Sequence, residues 1–493
     1  MKNLLMIALA VCLLTGSAFA GHVDTYGIGS RAVSMGGAMT AGTNDAFSVY
    51  YNPAAMSRIK KRTFTIGSHF VDPRLEIRDF EADMTVTGGI PEQNPSADKI
   101  EDKAPLLIVP HMGYVHPLNS KFTLGVALYV PYGLSLEWER NAAVNPGAYN
   151  TYKSYYMREV ITPSISYKVN DKLSIGFGIS IGKTQAGSER IRYVPDFMQD
   201  DSTMTALAYQ QAYSTAINAG YSAAAANAAA SAASTTQGPA AAAAYRDLDG
   251  SQYQTHMEDN FNYSFNFGIL YEFNEKVSVG LTYRGKAKTN LEGDVDVKPT
   301  PIYWQNYKQD ASTDIDTPDQ VQFGVEYKPT EKWAINADIT RTWWSNIQSY
   351  TVKFDEPFMA TPVLAPDGMA EEHFERKWKD TWQYRIGTEY KLNKTVDLRA
   401  GYYYDPTVVP DSTMDIQWPD SDKHVFSGGV GLHFGRVDID LALQYIKVTT
   451  IDIASGESEN LNHSFHRDIH DGDVSLKADG TIIGYGVTIS YKF

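Results

Sequence analysis

The chain has a single cysteine, Cys12, and none after it, so no disulfide staples the fold and no thiolate metal site is available. Beyond the first twenty residues no run of about 18 apolar residues occurs, which excludes an ordinary membrane-spanning helix. Positive charge is scarce: 43 Lys and Arg face 58 Asp and Glu, for a formal net charge of −15. No basic patch stands out to meet phosphates, so nucleic acid is not an expected partner. A Gly-rich phosphate loop ending in Lys-Ser/Thr is missing, which argues against energy coupling by nucleotide hydrolysis. Scattered serines and histidines form no nameable catalytic triad, and His463, His466 and His470 have no zinc spacing. The expectation is therefore no enzyme, no cofactor and no metal.

The first twenty residues read as a signal peptide. Lys2 supplies the positive end, Leu4 to Leu14 the apolar stretch, and Ala18-Phe19-Ala20 the small-x-small cleavage site. Cys12 lies inside it, and Val11 before it argues against a lipoprotein. Aromatics make up 12% of the chain, with 32 tyrosines, the residue that favours membrane–water interfaces. The chain also ends on an aromatic, Phe493.

The dominant period is two. Tyr485, Val487, Ile489, Tyr491 and Phe493 alternate with Gly, Thr, Ser and Lys. Leu173 to Gly182, Tyr263 to Tyr271, Val396 to Tyr404 and Val437 to Tyr445 follow the same rule. Successive strand side chains point to opposite faces, so each segment has one greasy face and one polar or glycine face. Short turns at Val169-Asn170-Asp171, Phe273-Asn274-Glu275 and Leu392-Asn393-Lys394 alternate with long polar loops. A soluble sandwich would share the alternation. About fourteen strand-like segments after residue 63, an even number, together with the signal peptide and terminal Phe493, favour a closed transmembrane barrel.

Two regions depart from this pattern. Residues 21–60 are rich in Gly and small residues and precede the first strand. Residues 197–257 hold an alanine-rich tract, Ser222 to Ala244, whose composition suits a helix or a mobile loop. Gly238-Pro239 is expected to interrupt any helix there. On composition a low-complexity surface loop is favoured over a helical hairpin that forms a greasy groove at the barrel mouth.

The stretch from Gly27 to Ile59, GIGSRAVSMGGAMTAGTNDAFSVYYNPAAMSRI, resembles the N-terminal hatch of the FadL-type long-chain fatty acid transporters (OMPP1/FadL/TodX). The likeness includes Asn52-Pro53-Ala54, Val109-Pro110-His111-Met112, Val130-Pro131-Tyr132-Gly133-Leu134, Trp333-Ala334-Ile335 with Trp344-Ser345, and terminal Tyr491-Lys492-Phe493. It extends over the whole mature chain. It implies an all-β fold: a monomeric transmembrane antiparallel β-barrel of about fourteen strands, with the hatch (21–60) plugging the lumen of the barrel (61–493). A helical insertion is implied at 197–257. The setting is the outer membrane of a Gram-negative bacterium, with lipid and lipopolysaccharide around the wall.

The resemblance also implies a route. A long-chain fatty acid or other hydrophobic small molecule would first meet an apolar groove between loops 194–257 and 293–317. It would then enter a tighter lumen pocket and leave sideways at a kinked third strand. Gly133, close after Pro131, is the candidate for the kink; a plain strand end is the alternative from the residues alone. Asn52, Pro53 and Ala54 would form a rigid turn of the hatch beside that gate. A buried carboxylate needs a cation. The family places one at the end of the fifth strand, where Arg192 or Arg190 stands. It places another before the tenth, where Arg376, Lys377 and Lys379 cluster. Alternatives remain open: monoaromatic hydrocarbon as cargo, an open polar porin, or a surface receptor.

Overall fold

The computed structural model describes residues 27–86, 93–360, 367–417, 419–466 and 470–493. The expected signal peptide, residues 1–20, lies outside them. Strand β1 spans Thr63–Val86; β2 has two segments, Ser96–Glu101 and Leu107–Pro117. Next come β3 (Phe122–Glu137), β4 (Lys153–Lys168), β5 (Leu173–Ile191) and β6 (Gln252–Glu272). Four strands are again split: β7 (Val277–Arg284, Leu291–Lys298), β8 (Lys308–Thr313, Gln320–Thr330), β9 (Trp333–Thr342, Ser349–Phe358) and β10 (Met369–Glu375, Thr381–Lys391). The wall finishes with β11 (Val396–Asp405), β12 (Lys423–Phe434), β13 (Val437–Ile453) and β14 (His470–Lys492). Nineteen hydrogen-bonded segments thus make a closed antiparallel barrel of fourteen strands. Closure is made by β1 and β14, paired from Thr63↔Lys492 to Val86↔His470.

The connections differ at the two ends. Turns of two to four residues lie at the end that holds Thr63 and Lys492; the other end carries the long loops, residues 192–251 among them. Four of the short turns share one device. Asn119, Asn170, Asn274 and Asn393 each accept the backbone N–H groups two and three residues ahead, which fixes the reversal without a partner strand.

The alternation read from the sequence is the inside and outside of this wall. Ile165, Phe177, Ile179, Phe265, Phe267, Ile386 and Leu441 are exposed on the outer face. Aromatics Phe122, Tyr327, Trp333, Tyr390 and Tyr491 ring the short-turn end; Tyr263, Tyr283, Trp382 and Tyr384 form a second belt higher up. Such an apolar band between two aromatic girdles suits a bilayer. Crossing takes only about 9–11 residues, so the 24 residues of β1 carry the wall well beyond the membrane on the long-loop side. No helix of the described residues is long and apolar enough to cross a membrane.

Among the described residues six helices accompany the barrel. Short α1 (Ser30–Ser34) and α2 (Ser48–Tyr51) belong to the N-terminal segment, followed by a 3-10 turn, Pro53–Arg58. Between β5 and β6 lie α3 (Asp196–Gln199), α4 (Asp201–Asn218) and α5 (Ala223–Leu248), and α6 (Glu459–Asn462) precedes β14. The alanine-rich tract is thus a helical hairpin, contrary to the loop favoured on composition. Pro239 lies inside α5 without ending it. Alanine's helix propensity supports the flanks, and Gly238 lets α4 come close: a Cβ there would stand 2.3 Å from Cα of Thr205. Packing between the two helices offsets the loss of one N–H.

Candidate functional site: a seated N-terminal segment, an apolar chamber and a strand seam

Residues 27–59 lie inside the wall. Asn52 is fully buried, and its amide does three jobs. Its Oδ1 accepts the N–H of Ala54 (3.0 Å); its Nδ2 donates to the carbonyls of Thr40 (2.8 Å) and of Ile269 on β6 (3.0 Å). Ser166 of β4 donates to the Ala54 carbonyl (2.9 Å). Pro53-Ala54 rests on the paired glycines Gly176 of β5 and Gly268 of β6. A Cβ on Gly176 would fall 2.3 Å from Ala54 N, and one on Gly268 2.1 Å from Asn52 Oδ1. Side chains there would leave no room for the turn, so the glycine face of the alternation is a seat.

Other ties run around the wall. Asn266 of β6 donates to Val49 O, Thr282 of β7 to Tyr51 O, and Thr40 donates to Asp338 of β9. Arg31 pairs with Glu389 of β10 at 3.0 Å, and Arg399 bridges Glu389 and Asp440. Ser30 meets Thr488 of β14. Toward β2 and β3 the contacts change character: Phe47 lies edge-on to His111 at 5.0 Å, Ala46 faces Gly113, and Val49 and Met56 face Gly125. Asn52-Pro53-Ala54 therefore sits against β4 to β6 rather than beside the third strand. Close to the irregularity of β3, the Tyr50 ring of this segment lies 5.2 Å from that of Tyr129.

That irregularity is a bulge. On β3, Tyr129 pairs with Val160 and Tyr132 with Arg158, so Val130 and Pro131 together oppose one residue of β4. Pro131 has no N–H for the ladder, and an extra residue bends a strand. The bulge centres on Val130-Pro131, and Gly133 is already back in register opposite Met157. On the other side of β3, pairing with β2 runs from Pro117↔Thr123 to Met112↔Leu128 and stops there. Higher up, Lys103 N–H donates to Glu137 O. Between these points the two strands form an unpaired seam. Val109 of β2, Val130 of the bulge and Met157 of β4 pack together there as a small buried apolar cluster.

Above residues 27–59 the interior is apolar. Phe80, Trp138, Tyr156, Tyr253, Trp344, Phe358 and Trp378 join one buried cluster fed by most of the wall. Charged groups border it. Arg190 of β5 is 8% exposed; it donates to Glu372 of β10 (2.6 Å) and lies 4.3 Å over the Tyr253 ring. Tyr253 and His463 also reach Glu372, at 3.0 and 3.1 Å. Arg376, between the two segments of β10, is 1% exposed; it pairs with Asp415 and donates to Tyr350 hydroxyl at 2.9 Å. Arg192 is half-buried, its guanidinium 5.8 Å from the Tyr253 ring. Lys377 is different: it is exposed and pairs with Glu459 at 3.0 Å, and Lys379 is exposed too. Of the basic residues singled out in the sequence, Arg190 and Arg376 come together at the apolar cluster, whereas Lys377 points away from it.

Sequence reasoning passed over Glu372, Asp415, Tyr253 and Tyr350, because their pairing spans 26 to 182 residues of chain. The long loops touch. Trp304 donates from Nε1 to Ala244 O of α5 (3.0 Å), and Asp247 accepts the N–H groups of Ile302 and Tyr303. Parts of the two loop ranges, Gln252 onward and Leu291–Lys298, are paired strand. No group of His, Asp and Glu suited to a metal occurs among the described residues. The sequence does contain Gly178-Ile179-Ser180-Ile181-Gly182, which has the letters of a nucleophile elbow. It lies in mid-strand β5, with Ser180 accepting from Thr162 at 2.9 Å, and has none of the sharp strand-to-helix turn an elbow needs.

A closed fourteen-stranded wall with an apolar outer band and a filled interior defines an outer-membrane β-barrel. The profile of the outer membrane protein transport protein family (OMPP1/FadL/TodX) matches residues 10–493, and the chain belongs to that family. It is 25% identical over 505 residues to the long-chain fatty acid transport protein of Escherichia coli O6:H1, covering 99% of this chain and 98% of that one. It is also 25% identical over 458 residues to outer membrane protein P1 of Haemophilus influenzae, with 90% of each covered. Among solved structures, a Pseudomonas aeruginosa FadL homologue superposes with a TM-score of 0.71 at 19% identity, covering 97% of this chain and all of that one. The Pseudomonas putida toluene transporter TodX gives 0.58 at 17%, covering 95% and 99%. The protein is thus a Gram-negative outer-membrane transporter of hydrophobic compounds, and its family is one of transporters.

Proposed function

We propose that the cargo is a long-chain fatty acid, moved passively by a monomer embedded in outer-membrane lipid and lipopolysaccharide. The observation that carries this reading is a pair of buried guanidinium groups, Arg190 and Arg376, set at the edge of an otherwise apolar chamber. A neutral hydrocarbon has no use for them. A carboxylate does, since an anion in such a place needs charged donors. Nε of Arg190 is buried without a hydrogen-bond partner and is the donor left over from its pairing with Glu372. The Escherichia coli relative is itself named for long-chain fatty acid transport.

The route follows from the same parts. The cargo is taken up where the α4–α5 hairpin meets the loop at Trp304, and it passes into the chamber. Residues 27–59 act as a hatch that blocks descent to the periplasm. The cargo leaves through the seam between β2 and β3, with Gly133 next to the bulge easing the bend. Each methylene kept out of water is worth about 0.8 kcal/mol, so a dry sideways exit into the bilayer is favoured over an aqueous pore.

The test is uptake of radiolabelled oleate and of toluene by cells lacking their own transporter, with and without this protein. Oleate uptake that falls in Arg190→Met, Arg376→Met or Arg192→Ala while the barrel still assembles is the expected result. Toluene uptake without oleate uptake would move the protein to aromatic hydrocarbons; TodX is a toluene transporter.

A further inference from the structure

Arg158 of β4 is among the largest fully buried side chains of the protein, 2% exposed. Its side chain points inward, and its Nε donates to Oδ1 of Asn262 on β6 at 2.7 Å. Its Nη2 is buried with no hydrogen-bond partner. Among the described residues no carboxylate forms an ion pair with it, whereas Arg31, Arg58, Arg190, Arg376 and Arg399 each have one. The nearest carboxylate in its network, Asp259, is one side chain removed: Asn262 donates to it at 3.3 Å and to Thr184 at 2.9 Å. A buried guanidinium without an anion is costly. An anion arriving there would find an open donor.

Its position gives that donor a purpose. Along the inward face of β4, Tyr156 above belongs to the apolar chamber and Val160 below to the cluster around residues 28–59. Arg158 is therefore at the floor of the chamber. It is also directly opposite Tyr132, the first residue of β3 back in register after the bulge that borders the seam. Across the other neighbour it is level with Thr184, six residues below Arg190 along β5. At about 3.3 Å per residue that is roughly 20 Å along the strand.

We propose that Arg158 is a second anion station: it receives the fatty-acid carboxylate at the chamber floor, after Arg190, and holds it beside the seam. This rests on the fatty-acid reading above. The head group would accept from Nη2 while Asn262 keeps the guanidinium plane fixed through Nε. The hydroxyl of Tyr156, buried on the same face two residues above, is a further donor for it. Handing a carboxylate from one guanidinium to another spares it a bare passage through apolar surroundings.

The test compares uptake of oleate and of oleyl alcohol, the same chain without the anion, in cells carrying wild type, Arg158→Met or Arg158→Lys. Heat-modifiable electrophoretic mobility of the outer-membrane fraction verifies that each barrel is folded. The station predicts that Arg158→Met lowers oleate uptake about tenfold, the worth of one charge-assisted hydrogen bond. Oleyl alcohol uptake stays at the wild-type level, and Arg158→Lys recovers most of the oleate rate. Wild-type oleate uptake in Arg158→Met overturns the station and leaves the fatty-acid reading standing. Equal loss of both cargoes overturns it too, in favour of a purely structural arginine. If wild type itself carries no oleate, the fatty-acid reading fails first and the station falls with it.

Discussion

Tyr132 on the third strand stands directly across from Arg158 on the fourth, and the regular pair below it is Tyr129 with Val160. The third strand spends two residues, Val130 and Pro131, where its neighbour spends one. One extra residue shifts β3 out of step with β4 just where its ladder to β2 has ended, so the bulge and the seam are one feature.

If cargo leaves through that seam, tying it shut stops transport without unfolding the barrel. No cysteine follows Cys12, so Val109→Cys with Val130→Cys introduces the only thiols beyond it. A short cleavable thiol cross-linker should cut oleate uptake severely, and its cleavage should restore it. Full uptake in the cross-linked protein would rule the exit out.

Gly176→Val or Gly268→Val places a side chain where the Asn52–Ala54 turn now lies. Overpacking of this kind costs about 1–3 kcal/mol, and the hatch should lift while the wall persists. Single-channel recordings in planar bilayers are expected to show frequent ion-conducting openings absent from wild type. A silent variant would mean that residues 27–59 do not plug the lumen.

Asn52→Ala removes two donor bonds and one acceptor bond at a fully buried position, leaving the Thr40 and Ile269 carbonyls short of a partner. Each such buried loss is worth about 1–3 kcal/mol. Hydrogen exchange should speed up in residues 40–56 while the β5 and β6 amides stay protected, and uptake should fall more than thermal stability. Uniform loosening of wall and hatch would contradict a local role.

The side chains of the Arg190–Glu372 pair are both buried, 9% and 6% exposed. Breaking one partner of such a pair typically costs about 3–5 kcal/mol. Arg190→Met and Glu372→Gln should each lower the thermal midpoint, and the double variant should recover part of the loss. Oleate uptake should stay low in the double variant even so, because the cation is gone. Recovery of both together would make the pair structural only.

The N-cap of α4 allows a pH test away from the membrane. Asp200 accepts the Thr203 N–H at 2.7 Å, and its contacts with Ser202 and Thr203 pull its pKa from an ordinary 3.8 to about 2. A lowered folded-state value means the cap's contribution is present above about 3.8 and is lost as pH falls through about 2. Protection factors, which remove the intrinsic pH dependence of amide exchange, should therefore be unchanged in the first turn of α4 from neutrality to pH 4. In Asp200→Ala that turn should exchange faster throughout the range.

Much of this was legible in the sequence, and the reasons are local. Period-two alternation sorts Phe177 outward and Gly176 inward before any partner is known, and Asn170, Asn274 and Asn393 mark turns by their own side chains. The segment from Gly27 to Ile59 was identifiable through resemblance. What stayed hidden depends on distant chain. Glu372 sits 182 residues from Arg190. The bulge shows only in the register between β3 and β4, so Gly133 drew the attention that belonged to Val130-Pro131. Pro239 was read by its usual meaning, and packing against α4 overrode it. Arg158 did leave a signal: it is a charge at an inward position between Tyr156 and Val160.

The uneven attachment of residues 27–59 has a mechanical consequence. Toward β4 to β10 and β14 this segment is fastened by hydrogen bonds and ion pairs whose geometry resists displacement. Toward β2 and β3 it meets Phe47 on His111, Ala46 on Gly113 and Met56 on Gly125, which are greasy surfaces with little directional preference. The segment is bolted on one flank and lubricated on the other. If cargo leaves sideways as proposed, the flank that parts can slide over it, and the segment never has to leave the lumen.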